Sequence, residues 1–196
     1  MYFNFQSHIA FKMKVIIGIT GASGSIYAQR LINKLINSGN KISEIALVIS
    51  PNGKQVYEYE VGEFKFKNEK IKEHKFNDFF SPIASGSSKF DAMVIIPSSM
   101  GTLAKIANGI ADNVLIRAAD VMLKEQRKLI IVARETPLNL IHIENMKKIV
   151  QAGGIVLPAS PSFYSKPKNI EELVDTVLDR ILDILKIENK SFRWGE

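Results

Sequence analysis

The stretch Lys14-Val-Ile-Ile-Gly-Ile-Thr20-Gly-Ala-Ser-Gly-Ser25 decides the fold. Positions 15–19 are apolar without alternation and rich in β-branched side chains, which suits a strand covered on both faces. Glycines at 21 and 24 allow a tight turn, and a helical pattern starts at Ser25. A buried strand passing through a glycine-rich turn into a helix is the opening unit of a doubly wound α/β fold.

Four further runs of the same kind follow, at 43–50, 92–97, 129–133 and 155–158. Helical patterns fill 25–37, 101–108, 112–128, 141–151 and 170–187. In the last, Ile170, Leu173, Val174, Val177, Leu178, Ile181, Leu182 and Leu185 form one apolar stripe, with Arg180 on its flank. The alternation predicts a three-layer, doubly wound, mostly parallel sheet, flavodoxin-like or Rossmann-like, as one domain over 14–196. Residues 1–13 read as an extension, because Met13-Lys14 opens a strand as a natural start would. Residues 60–90 are charged and aromatic without period and read as an insertion or lid.

The composition narrows the chemistry. The 196 residues contain no cysteine, which excludes disulfides, thiolate metal sites and a cysteine nucleophile. The three histidines, His8, His74 and His142, lack metal-ligand spacing, so no metal is expected. No apolar run reaches 18 residues and no signal peptide is evident, so a cytoplasmic protein without a membrane span is expected. Lys and Arg number 26 against 20 Asp and Glu, a charge of +6. The lysines are scattered and mixed with acids, so no nucleic-acid partner is expected, and the surplus suits anionic small molecules.

In an open parallel sheet, ligands bind beyond the carboxyl ends of the strands. After the first four strands stand Gly21-Ala22-Ser23-Gly24-Ser25, Ser50-Pro51-Asn52-Gly53, Ser98-Ser99-Met100-Gly101-Thr102 and Arg134-Glu135-Thr136-Pro137. Together they suit a phosphate-bearing ligand, although the first could also be a plain strand-to-helix turn. The spacing Gly18, Gly21, Gly24 is not G-x-G-x-x-G, and strand two ends in Ser50 rather than an acid, which argues against a dinucleotide. No P-loop and no G-x-S-x-G elbow occurs. Flavin mononucleotide (FMN) is the natural candidate. Arg117 and Lys124 lie seven apart on one helix face, and with Arg134 they form either an anion site or, through Asp120, ordinary surface pairs. Glu135 is a candidate acid or base, or a helix cap. Tyr164, in a proline-rich loop, is functional or mere packing.

Several segments in order, Thr20-Gly-Ala-Ser-Gly-Ser25, Ala84-Ser-Gly-Ser-Ser88, Arg117-Ala-Ala-Asp-Val-Met-Leu-Lys-Glu125, Arg134-Glu-Thr-Pro-Leu138, His142-x-Glu-Asn-Met146, Leu157-Pro-Ala-x-Pro-x-Phe-Tyr164 and Arg193-Trp-Gly-Glu196, closely resemble the flavin prenyltransferase (UbiX-like) family. The resemblance runs from about Lys14 to the end. It implies an FMN-binding α/β protein that joins a dimethylallyl group from dimethylallyl monophosphate to N5 and C6 of reduced FMN, without a metal. It further implies that prenylated FMN is made for a UbiD-like decarboxylase, as in ubiquinone biosynthesis, by a homo-oligomer, a dodecamer, with sites at subunit interfaces.

Carried over by residue, the resemblance assigns Gly21, Ala22, Ser23, Ser50, Ser99, Met100, Gly101, Thr102 and Arg117 to FMN. It assigns Lys124, Arg134, Tyr164 and Arg180 to the prenyl phosphate. Ser23, Glu60 and Glu135 take catalytic roles, and Phe79 or Phe80 would wall the prenyl site. Two alternatives stand beside it. One is an FMN-binding cysteine decarboxylase, which would call for an active-site His and a P-x-M-N stretch where Pro97-Ser98-Ser99-Met100 stands. The other is a non-catalytic FMN carrier, which needs no second anion site.

Overall fold

The computed structural model describes residues 12–195, so the expected extension falls almost wholly outside the described residues. Six strands form one parallel sheet: β1 (Met13–Ile19), β2 (Ile42–Ile49), β3 (Ile71–His74), β4 (Ala92–Ser98), β5 (Lys128–Ala133) and β6 (Ile155–Pro158), in the order β3-β2-β1-β4-β5-β6. The order reverses between β1 and β4, which opens a crevice at their carboxyl ends. Among the described residues, six α-helices cover the sheet: α1 (Ser25–Ile36), α2 (Pro51–Glu60), α3 (Met100–Ala107), α4 (Val114–Lys124), α5 (Leu140–Gln151) and α6 (Ile170–Ile184).

The unbroken apolar strands are explained by two cores. Val15, Ile17 and Ile19 of β1 face a core shared with α1 and α6, while Ile16 faces a second core with α3 and α4. The central strands alternate between two dry faces, so alternation in depth leaves no alternation in polarity. Val174, Val177, Leu178, Ile181, Leu182 and Leu185 of the predicted α6 stripe are buried, but Ile170 at the first turn is exposed. The helix 112–128 is shorter than predicted, because its last four residues turn and enter β5.

Two elements were missed. α2 has Ser50 as its cap and Pro51 at its first turn, but Asn52-Gly53 reads as a turn and only Gly53 and Tyr57 are buried. The segment 60–90, read as an insertion or lid, is in part regular structure. Its residues 71–74 form edge strand β3, parallel to β2, and the chain then descends along α4 as a strap. Phe76 O accepts from Val114 N (2.9 Å), Ala84 O from Arg117 Nε (3.2 Å), and Gly86 O and Ser88 O from the Arg127 guanidinium (2.7 and 2.5 Å). An edge strand reading Ile-Lys-Glu-His, half wet, carries no apolar run to betray it.

Candidate active site

The turns after β1, β2 and β4 are laced into one rim. Thr20 Oγ1 donates to Pro97 O (2.8 Å) and accepts from Ser99 N (2.8 Å), tying the first turn to the third. Ser50 N donates to Ile19 O (2.9 Å). A Cβ on Gly21 would lie 2.9 Å from Asn52 Cβ, so only glycine lets the first two turns meet so closely. Ser50 and Ser99 cap α2 and α3: their hydroxyls accept from Gly53 N (3.0 Å) and Thr102 N (3.3 Å). The Ser99 hydroxyl also donates to Thr102 Oγ1 (3.1 Å). Ala22 and Met100 are buried beneath these turns. Thus Gly21, Ala22, Ser23, Ser50, Ser99, Met100, Gly101 and Thr102 share the carboxyl edge of the sheet.

The amino end of α1 is already taken. Glu60, the last residue of α2, accepts from Gly24 N (2.9 Å) and Ser25 N (2.8 Å). Gly24 reaches this arrangement at φ 108°, a left-handed conformation that glycine adopts without strain. Burial would raise the Glu60 pKa. The Ser23 side chain and the two amides more than offset it, and the carboxyl sits below its ordinary range. Within the chain the first amides of α1 are therefore engaged by Glu60, while the Ser50 and Ser99–Thr102 turns present their hydroxyls at the same edge of the sheet. Hydroxyls at two helix starts, with their backbone amides alongside, fit a mononucleotide phosphate.

Arg134 leaves β5 beside this rim. Its N–H donates to Ser98 O (3.1 Å) and its Nε to Ser23 O (3.1 Å), which fixes a guanidinium over the first turn. Glu135 is next, and one of its oxygens accepts from Thr136 N (3.1 Å). The helix-cap reading does not hold, because Asn139 caps α5; Glu135 binds only the next amide in the chain and stands beside the fixed Arg134.

Arg117 and Lys124 do face the same way, toward the strap. Arg117 pairs with Asp120 (2.5 Å), as the surface reading expected, but Lys124 pairs with Glu125 (2.6 Å) instead of Asp120. Within one chain the three cations do not converge. Lys124 lies four residues before β5 begins and Arg134 follows its end, so the strand's length, roughly 20 Å, separates them. Tyr164 and Arg180 stand elsewhere again, in a groove of about 980 Å3 along β6 and α6 that the C-terminal tail borders. There Tyr164 meets Trp194 edge to face (centroids 5.0 Å) and Arg180 pairs with Asp183 (3.2 Å). Asp183 also receives both arms of the Arg193 guanidinium (2.6 and 2.7 Å), which hold its carboxyl at about 2. Phe79 is half exposed and Phe80 fully exposed.

Sequence reasoning missed Thr20, Asn52, Arg127 and Asp183. Thr20 had a signal: a hydroxyl closing an apolar strand must find partners. The other three are defined only by contacts between distant segments. Among the described residues, no group of three metal-ligating side chains comes together, and no helix is long and apolar enough to cross a membrane.

The family model for flavoproteins matches residues 6–182. The flavin prenyltransferase UbiX of Methanocaldococcus jannaschii is 48% identical over 186 residues, covering 93% of this chain and 99% of the relative. An AnUbiX structure in complex with FMN and dimethylallyl pyrophosphate is 33% identical, with a TM-score of 0.84 over 94% of this chain and all of that one. A dodecameric FMN-dependent UbiX-like decarboxylase from Escherichia coli O157:H7 is 38% identical, with a TM-score of 0.86 over the same shares. The chain belongs to the flavin prenyltransferase family of flavoproteins.

Proposed function

We propose that this protein joins the dimethylallyl group of dimethylallyl monophosphate to N5 and C6 of reduced FMN, and that the prenylated FMN serves a UbiD-like decarboxylase. The observation that carries this is the Arg134 guanidinium fixed on Ser23 O, with Glu135 beside it. A cation and a carboxyl group then stand against the turn assigned to the flavin, where a carrier would need neither. Reduced FMN, when bound, supplies the nucleophilic ring positions.

The remaining work belongs to side chains. Breaking the allylic C–O bond leaves an electron-poor carbon and a phosphate anion. Arg134, Arg180 and Lys124 counter that anion as its charge grows, and the loss of one such preorganised donor costs about 3 kcal/mol. Glu135 exchanges a proton with the leaving phosphate. The Phe79 or Phe80 ring faces the electron-poor carbon. Ser50, Ser99 and Thr102, with Arg117, hold the cofactor, and Ser23 with Glu60 orients the first turn.

The cations also argue for assembly. Lys124 and Arg134 lie at opposite ends of one strand, so a phosphate touching both must sit between two copies of the chain. A homo-oligomer supplies this, and a dodecamer is our reading for this protein.

The test is anaerobic incubation with reduced FMN and dimethylallyl monophosphate, with and without a chelator, followed by mass spectrometry of the released flavin. One added C5 unit in both arms is expected. Unmodified flavin with intact donor would overturn the transferase reading and favour the carrier or the decarboxylase, and dependence on metal would overturn the assignment of the cation role to Lys and Arg.

A further inference from the structure

The turn that carries Phe79 and Phe80 is built inside a small closed frame. His74 ends β3, in register with Val48, two residues before Ser50. The chain therefore leaves the sheet at the same edge as the cofactor turns. Seven residues on, Ser81 comes back to it: Ser81 Oγ and His74 Nδ1 are 2.7 Å apart. Ser81 is 5% exposed. His74 Nε2 is buried without a hydrogen-bond partner, so Ser81 is the imidazole's one link. Burial, with Lys72 nearby, also holds its pKa below the ordinary value, against the pull of Glu44 and Asp78.

Within the frame, Asp78 organises the apex. Its N–H donates to Lys75 O (3.1 Å), its carbonyl accepts from Ser81 N (3.0 Å), and its Oδ1 accepts from Phe80 N (3.1 Å). Phe76 anchors the near side, packing on the second core while its carbonyl receives Val114 N. The Phe79 and Phe80 rings are left outward, 49% and 99% exposed. The far side of the turn is closed by the His74–Ser81 hydrogen bond and the Ser81 amide.

We propose that His74 and Ser81 are positioning residues which, through their buried hydrogen bond, hold the Phe79-Phe80 turn against the allylic chain of the donor and so set its affinity. This rests on the prenyl-transfer reading above. It assigns the pair to donor binding and leaves flavin binding and the bond-making step untouched.

The FMN-loaded wild type is compared with Ser81→Ala, His74→Leu and His74→Asn, whose amide oxygen can take the place of Nδ1. Ser81→Ala and His74→Leu are expected to raise KM for dimethylallyl monophosphate about tenfold, the size of one buried hydrogen bond. kcat at saturating donor and FMN affinity should stay within about twofold, and His74→Asn should restore KM. An unchanged KM in both disruptive variants overturns the proposal. So does a joint fall of kcat, FMN affinity and donor affinity in Ser81→Ala, the gentler change, which would mark a merely structural pair. A wild type that makes no prenylated flavin overturns instead the reading beneath it, and is recognised before any variant is compared.

Discussion

The rim after β1, β2 and β4 and the groove beside β6 are built on opposite terms. The rim is closed by the chain itself: Thr20 bridges two turns, Gly21 meets Asn52, and Glu60 fills the start of α1. The groove is open. Its Tyr164 and Arg180 line a volume of about 980 Å3, and Arg180 pairs with Asp183, on its own helix. A rim made of backbone and short side chains can hold a rigid ligand without help. A groove made of long, exposed side chains leaves room for a further molecule. In the reading proposed above, the rim holds the flavin and the groove adds Tyr164 and Arg180 to the donor contacts that Arg134 begins at the rim.

Substitutions can break or sharpen that separation. Glu135→Gln keeps the shape of the side chain and removes its proton exchange. Prenyl transfer should slow at least about a hundredfold with FMN affinity retained, and unchanged turnover would remove Glu135 from the mechanism. Arg180→Ala removes a cation from the groove alone. Donor KM should rise about 10- to 100-fold, with flavin affinity held, when both are titrated. Equal loss of both would erase the division between rim and groove. Gly21→Ala places a methyl 2.9 Å from Asn52 Cβ and strikes the rim alone. Forcing the two turns apart should weaken FMN binding about tenfold in a fluorescence titration while donor KM changes little.

The two regions also differ in how far the sequence revealed them. The rim was legible because each turn directly follows a buried apolar run, so finding the strands finds the ligand edge. Helix α2 was hidden by Asn52-Gly53, although Ser50 and Pro51 announced its start. Strand β3 was hidden because Ile71-Lys-Glu-His74 sits at a wet edge. The partners of Arg134 and Glu60 needed coordinates: Ser23 and the Gly24 and Ser25 amides lie 111, 36 and 35 residues away. For Lys124, Arg134, Tyr164 and Arg180, the resemblance supplied one site where one chain shows three places. Spacing along a helix reports a face, as it did for Arg117 and Lys124, but not what that face meets.

The smallest expected effect concerns the border of the groove. Arg193 grips Asp183 with two hydrogen bonds and so seats the neighbouring Trp194 against Tyr164. The folded Asp183 carboxyl titrates at about 2, below its ordinary 3.8. A depressed carboxylate contributes stability in full above the ordinary value and loses it as pH falls through the folded one. The tail should therefore stay docked at neutral pH and loosen between about pH 4 and 2. Trp194 is the protein's single tryptophan, so its fluorescence anisotropy reads the tail directly. Anisotropy should fall across that window in the wild type. Asp183→Asn, which cannot hold the guanidinium as an ion, should show a lower and flat profile through it. A wild-type profile as flat as the variant's would mean that ring packing, not the ion pair, holds the border, and the groove would then keep its shape in acid.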